Sequence, residues 1–333
     1  MTIPLSVLDV VPLRDGSSAH EALAETMVLA RHVEALGYRR YWFAEHHGMR
    51  GIASSAPAVL VGQVAAATTT MRVGSGGVML PNHSPLVVAE QFGTLEALFP
   101  GRIDLGIGRA PGTDGATAAV LRRSAEGLSE RAFPEELAAL FGFFRGNFPP
   151  GHPYQRIHAV PARGNEPPVW LLGSSGYSAE LAGRLGLPFA FAHHFSQAHT
   201  LPALALYRQH FHASPSLAQP YAMVAAIVIV ADSDEEARRL ALPNALAFLR
   251  LRQGQPGPYP TVAQAESYPW APAERQFAED WLASAVIGGP ASAKAQLDRL
   301  IQVTAADELM VLCAVPEPEA RRRSYTLLRQ LHA

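Results

Sequence analysis

The chain is poor in the features that mark secreted, membrane-spanning or nucleic-acid-binding proteins. It has one cysteine in 333 residues, which excludes a disulfide framework and a cysteine-ligated metal centre. That residue, Cys313, lies in the apolar run Leu309-Met-Val-Leu-Cys-Ala-Val315 and reads as a buried structural thiol. Only 17% of residues are charged, the formal net charge is −2 and no basic run occurs. A footprint for nucleic acid is therefore missing. The amino terminus has no basic segment and its apolar run breaks at Asp9, unlike a signal peptide. The longest apolar run, Tyr221 to Ala231, is too short to cross a bilayer. These absences predict a soluble, cytoplasmic protein with neither membrane nor nucleic acid as partner.

What is present is apolar and rhythmic. Hydrophobic residues make up 48% of the chain, enough for a sizeable core. Short apolar runs alternate with segments of helical period, the pattern of βαβ units around a parallel sheet. Candidate strands cover residues 3–10, 39–44, 72–79, 103–107, 169–172, 189–192, 222–230 and 308–312. Candidate helices between them cover 19–36, 56–67, 85–98 and 178–185. Asp232-Ser-Asp-Glu-Glu236 reads as an N-cap with an acidic first turn, opening a helix to about residue 251. Eight strands with intervening helices predict a TIM (β/α)8 barrel with insertions in its loops, one domain over residues 1–333. A doubly wound two-domain protein is the alternative, although no linker halves the chain. Two excursions interrupt the rhythm, one near 144–168 rich in proline, glycine and histidine, the other near 253–272 rich in proline, glycine and tyrosine. They are expected to shape the pocket, and the second either to cover the mouth of the barrel or to be a surface excursion.

In such barrels the reacting groups stand at the carboxyl ends of the strands, and polar and glycine residues collect there. Strand 72–79 carries Gly76-Gly77, a mark of a bulge or of close approach to a flat ligand. Strand 39–44 runs into Glu45-His46-His47, where alternation places His46 with Trp42 and Ala44. A histidine there suits proton transfer. A structural pair and a metal site are the other readings, though adjacent ligands on a strand diverge. The turn Gly173-Ser-Ser-Gly-Tyr-Ser178 lies between a strand and a helix, so Gly173, Ser174, Ser175, Tyr177 and Ser178 are candidates for an anion site. Arg109, at the end of strand 103–107, adds a guanidinium fork suited to phosphate. An ordinary serine-capped turn is the alternative. No Gly-Lys-Ser/Thr follows, so the turn is not a nucleotide-hydrolysing P-loop.

Taken together, Glu45-His46-His47, Gly76-Gly77 with Leu80-Pro81, Gly101-Arg102 with Gly106-Ile-Gly-Arg109, and Ser174-Ser175 with Leu185-Gly-Leu-Pro188 resemble bacterial luciferase-like flavin monooxygenases. The order matches from residue 3 to at least residue 192. The resemblance implies a TIM barrel that binds reduced FMN, supplied by a separate flavin reductase, and oxygenates a small organic substrate such as an aldehyde or a polyketide-like aromatic. Oxygen adds at flavin C4a in that family, giving a hydroperoxide. It further implies a cis peptide at Gly76-Gly77 beside the flavin ring, phosphate contacts from Arg109, Ser174 and Ser175, His46 as base, and a homodimer. Luciferase has a reactive cysteine where this chain has Gly108, and a tryptophan near His193-His194, so light emission is not expected. Two other outcomes of the same resemblance are an oxidoreductase using the deazaflavin F420 and a non-catalytic FMN-binding protein.

Overall fold

The computed structural model describes residues 3–121 and 132–332. Nine parallel strands occur among them: β1 Leu5–Asp9, β2 Arg40–Phe43, β3 Arg72–Met79, β4 Ile103–Gly108, β5 Val169–Gly173, β6 Phe189–Ala192, β7 Ala222–Val230, β8 Val286–Gly288 and β9 Glu308–Leu312. Eight close a ring in the order β1-β2-β3-β4-β5-β6-β7-β9, with β6 paired to β7 and β9 to β1. This is the expected TIM barrel. All eight expected strands are present, four with the expected bounds.

The ninth strand, β8, has no counterpart in the sequence reading. Its three residues pair with Val228–Val230, beyond the part of β7 that pairs with β9, so β8 stands outside the ring. Three residues are too few to show a period. β7 itself is buried along all nine residues, as a strand covered on both faces must be.

Helices surround the ring: α1 Ala19–Ala35, α2 Pro57–Ala67, α3 Pro85–Leu98, α4 Gly115–Leu121, α5 Ala132–Arg145, α6 Gly176–Leu185, α7 Gln197–Gln209, α8 Asp234–Arg252, α9 Val262–Ser267, α10 Pro272–Ala283, α11 Pro290–Thr304 and α12 Pro318–Leu331. Local sequence sets their starts. Ser18 and Glu21 form a capping box on α1. Ser233 caps α8, whose first turn carries Asp234, Glu235 and Glu236 against the helix dipole. Cys313 is buried and free, as expected.

The amino-terminal half of the barrel interior is charged rather than aliphatic. Arg40 bonds Asp104 at 2.6 Å and Glu308 at 3.0 Å, and Arg72 reaches the other oxygen of Asp104 at 2.7 Å. Trp42 donates its indole N–H to Asp104, while Ser6 and Tyr221 donate to Glu308. Buried charges persist only when paired in this way. A second buried pair, Arg321 with Asp9 at 2.6 Å, joins α12 to the end of β1. Tyr41, Thr26 and the Val11 N–H complete the shell of Asp9. Burial would raise the pKa of Asp9, but Arg321, Tyr41 and the Val11 N–H hold it below the ordinary value.

Neither excursion lines the cavity, and the second is the surface excursion of the two alternatives. Residues 144–168 pack Phe148 and Tyr154 against Phe143 of α5, with His152 stacked on Phe148. Residues 253–272 contain α9 and place Tyr268 and Trp270 in an apolar cluster with Leu246, Leu249 and Phe277. Tyr259 is stitched by backbone bonds to Leu13 and Asp15, on the rim after β1. Neither excursion contributes a residue to the cavity at the barrel mouth. Their aromatic rings find apolar partners on the outer helices, and burying those rings there is more favourable than exposing them over an open mouth.

Candidate active site

The carboxyl ends of the strands enclose a cavity of about 470 Å³. Of the residues singled out from sequence, His46, Gly76, Gly77, Arg109, Gly173, Ser174, Ser175 and Ser178 line it. Tyr177 does not. Its ring lies under the Arg109 guanidinium, 4.5 Å from carbon to centroid, and so fixes the direction of that side chain.

The Gly76–Gly77 peptide is cis. Here β3 slips against β4, with Gly76 opposite Gly106 and Val78 opposite Ile107, leaving Gly77 as the extra residue of a bulge. A Cβ at Gly77 would lie 2.8 Å from the Gly106 carbonyl oxygen, a backbone atom with no room to yield. Only glycine fits that crossing.

Arg109 follows β4, and the serine turn follows β5 and opens α6. Ser175 is the N-cap residue of this ten-residue helix, in extended conformation, and its hydroxyl makes no capping bond. The hydroxyl and the first-turn N–H groups thus face the cavity rim beside a guanidinium, an arrangement suited to an anion.

β2 ends at Phe43, so strict alternation stops there, and Ala44, Glu45 and His46 all border the cavity. His46 donates Nδ1–H to the Gly112 carbonyl at 3.2 Å. That assignment leaves Nε2 as the nitrogen with a lone pair. Burial lowers the pKa of His46 below the ordinary 6.5, opposed by the Gly112 carbonyl and by Glu45. The imidazole is therefore neutral at pH 7 and able to take a proton. Gly112 has φ +66°, and a Cβ there would meet the Glu45 carbonyl oxygen at 2.6 Å. Glycine at this position is what lets the carbonyl reach His46.

The Glu45 carboxylate turns toward the second histidine and also binds groups from beyond β3. It accepts from His47 Nε2 at 2.8 Å, His83 Nε2 at 2.9 Å, Asn82 Nδ2 at 3.2 Å and the Met79 N–H at 3.0 Å. Burial alone would raise its pKa, but the bonds from His83, His47 and Met79 outweigh burial and keep it ionised. Glu45, His47 and His83 offer ligand atoms within 4.8 Å of one another. The two histidines stand 2.8–3.0 Å from the carboxylate oxygens, the distances of N–H···O bonds. The cluster ties the end of β2 to the end of β3 and to Asn82-His83 after it.

Three parts of the site escaped the sequence reading. His194, noted only as lying near the position of a luciferase tryptophan, lines the cavity and donates Nδ1–H to the Ala225 carbonyl at 2.9 Å. Phe133 enters from α5. Leu8 and Val10 near β1, with Met310 and Leu312 on β9, form an apolar wall. Their spacing of two residues was a legible sign of a shared face.

Comparison with known proteins agrees with this geometry. The family model "Luciferase-like monooxygenase" matches residues 3–307. A "Luciferase-like monooxygenase" of Escherichia coli (strain K12) is 48% identical over 326 residues, 98% of this chain and 96% of that protein. "N-acetyl-S-alkylcysteine monooxygenase" of Bacillus subtilis (strain 168) is 37% identical over 266 residues, 80% of this chain and 79% of that protein. Among solved structures, apo-MsnO8 superposes with a TM-score of 0.88 at 35% identity, covering 99% of this chain and 98% of its own. More distant structures share the fold alone. One is the oxygenating constituent of 3,6-diketocamphane monooxygenase from Pseudomonas putida in complex with FMN (TM-score 0.74, 18% identity, 99% of this chain and 98% of that chain). Another is an F420-dependent secondary alcohol dehydrogenase (TM-score 0.69, 14% identity, 99% and 98%).

Proposed function

The chain belongs to the luciferase-like monooxygenase family, and we propose that it uses reduced FMN and O2 to oxygenate a small, largely apolar organic compound. The observation that carries this reading is the division of the cavity. One rim offers a guanidinium, serine hydroxyls and a helix N-terminus, and the rest is glycine backbone and apolar side chains apart from Glu45, His46 and His194. A phosphate-bearing cofactor with a flat ring matches both halves. Arg109, Ser174 and Ser175 would hold the phosphate, and the Gly76-Gly77 backbone would border the ring.

When bound, reduced FMN supplies the electrons with which O2 delivers one oxygen atom to the substrate and the other to water. The protein binds, orients and excludes water. Leu8, Val10, Phe133, Phe191, Met310 and Leu312 make the substrate side dry. His46, neutral and with no bond to Nε2 among the described residues, takes a proton during turnover, and the Gly112 carbonyl holds its ring in the tautomer that can. Delivery of reduced FMN falls to a separate cytoplasmic flavin reductase. A homodimer belongs to the same reading, supported by Val59 and Leu98, each 65% exposed on α2 and α3.

Anaerobic titration with photoreduced FMN and with reduced F420, followed by mixing with oxygenated buffer, tests the proposal. Preferential binding of FMN and oxygen uptake are expected, with uptake coupled to product for a member of a panel of aldehydes, aromatics and S-alkylcysteines. Preferential binding of F420 with hydride transfer and no oxygen uptake would replace the oxygenase with an F420 oxidoreductase. Flavin binding without any turnover would leave a carrier protein.

A further inference from the structure

The polar groups of the cavity are unevenly placed around the ring. In the closed barrel β2 and β6 stand four strands apart, on opposite sides. Each is followed by an imidazole that borders the cavity, His46 on one side and His194 on the other. The sector between them through β3, β4 and β5 holds Gly76-Gly77, Arg109 and the serine turn. The opposite sector, through β7, β9 and β1, contributes Ala225, Met310, Leu312, Leu8 and Val10, all of them apolar. A molecule lying against that wall meets polar atoms only at its two flanks.

His194 differs from His46 in what it can do. Its Nδ1–H and its backbone N–H both point to the Ala225 carbonyl, at 2.9 and 3.2 Å. A carbonyl only accepts, so the ring proton sits on Nδ1 and Nε2 carries the lone pair. Among the described residues nothing bonds Nε2, and it is not one of the buried atoms left without a partner, so it stays accessible. Burial, helped by repulsion from His193 and His46, pushes the pKa of this ring down to about 4. At neutral pH the group neither gains a proton nor donates from Nε2. It is a fixed acceptor in an otherwise apolar flank, and a ligand without a matching donor would leave it desolvated and unpaired.

We propose that His194 is a specificity-determining residue, whose Nε2 accepts a hydrogen bond from one uncharged O–H or N–H of the organic substrate. The cavity then selects apolar alcohols, phenols or amides over the ethers and hydrocarbons of the same shape. The proposal rests on the oxygenase reading for the word substrate, but the binding preference itself requires neither flavin nor turnover.

The test uses a matched pair of probes, 4-tert-butylphenol and 4-tert-butylanisole, which differ by replacing the donor with a methyl ether. Each is titrated into 15N-histidine-labelled protein, with and without FMN, and the Nε2 resonance of His194 is followed by NMR. The phenol is expected to move that resonance toward the protonated side and to bind about tenfold more tightly than the ether, the worth of one hydrogen bond. In His194→Phe the preference is expected to vanish. Ala225 keeps the backbone N–H of residue 194 as a donor in that variant, which favours folding. If the variant does not fold, the wild-type resonance decides alone. Equal affinity for the two probes, an Nε2 resonance unmoved at saturation, or a preference that survives in His194→Phe would overturn the proposal. Failure of the flavin reading is distinguishable, because FMN would then fail to bind while the probe preference remained.

Discussion

Arg40→Met removes the cation at the centre of the buried network beneath the site and keeps most of its volume. Arg40 is 6% exposed along its side chain, and the carboxylates of Asp104 and Glu308 are fully buried. Their fates after the substitution differ. Asp104 keeps Arg72 at 2.7 Å and the Trp42 indole N–H. Glu308 keeps two neutral donors, Ser6 and Tyr221, and Arg39 at 3.9 Å, whose side chain is 45% exposed and screened by water. Glu308 is thus the group left stranded. Breaking a buried pair from one side costs about 3–5 kcal/mol, a large part of a typical folding free energy of about 5–15 kcal/mol. Urea unfolding at pH 7, followed by circular dichroism, is expected to show a loss in that range. Adding Glu308→Gln is expected to recover at least about 1 kcal/mol, because the stranded charge is gone. A loss below about 1 kcal/mol for the single variant, or further loss on adding the second change, would refute the account of this network.

Other expectations follow from the site. His46→Gln is expected to lower turnover by about 10²–10⁴-fold, the usual worth of a placed base, with FMN affinity little changed in a fluorescence titration. Because the pKa of His46 lies below the ordinary 6.5, wild-type turnover is expected to hold down to that pH and fall only below it, as the imidazole protonates. Gly112→Ala, forced against the Glu45 carbonyl at positive φ, is expected to shift the carbonyl that holds His46 and cost up to about 10²-fold in turnover, read by steady-state kinetics. For His194, the folded pKa of about 4 lies below the unfolded value near 6.5, so the unfolded state binds the extra proton between these values. Stability is expected to fall by about 2–3 kcal/mol as pH drops from 6.5 to 4, and His194→Phe to escape that loss in pH-dependent urea unfolding.

The eight strands of the ring were readable because each is a largely buried apolar run closed by glycine or by polar residues, and burial on both faces leaves little choice of residue. Much of the cavity lining was readable for a related reason. Gly76-Gly77 and the Ser174-Ser175 turn break the strand pattern in ways that regular structure does not need. The charged interior was less visible, although Arg40, Arg72 and Glu308 open three strands and Asp104 follows the start of a fourth. A charge at a strand start reads as solvent-facing until closure of the ring turns it inward. His194 and the bonding partners of Glu45 depend on which loops meet. His83 reaches Glu45 from 38 residues away, and no local period records such a meeting. The excursions misled because aromatic content signals burial without saying against which surface.

The central claim is that the rim formed by Arg109 and the turn after β5 binds the phosphate of FMN. Titration of wild-type protein and Arg109→Ala with FMN and with riboflavin, which lacks the phosphate, tests it most directly. Wild type is expected to prefer FMN, and Arg109→Ala to weaken FMN by about 1.5–3 kcal/mol, the range for hydrogen bonds to charged groups, while riboflavin binding is unchanged. Equal wild-type affinity for the two flavins, or an equal loss for both in the variant, would contradict the claim and place the phosphate elsewhere.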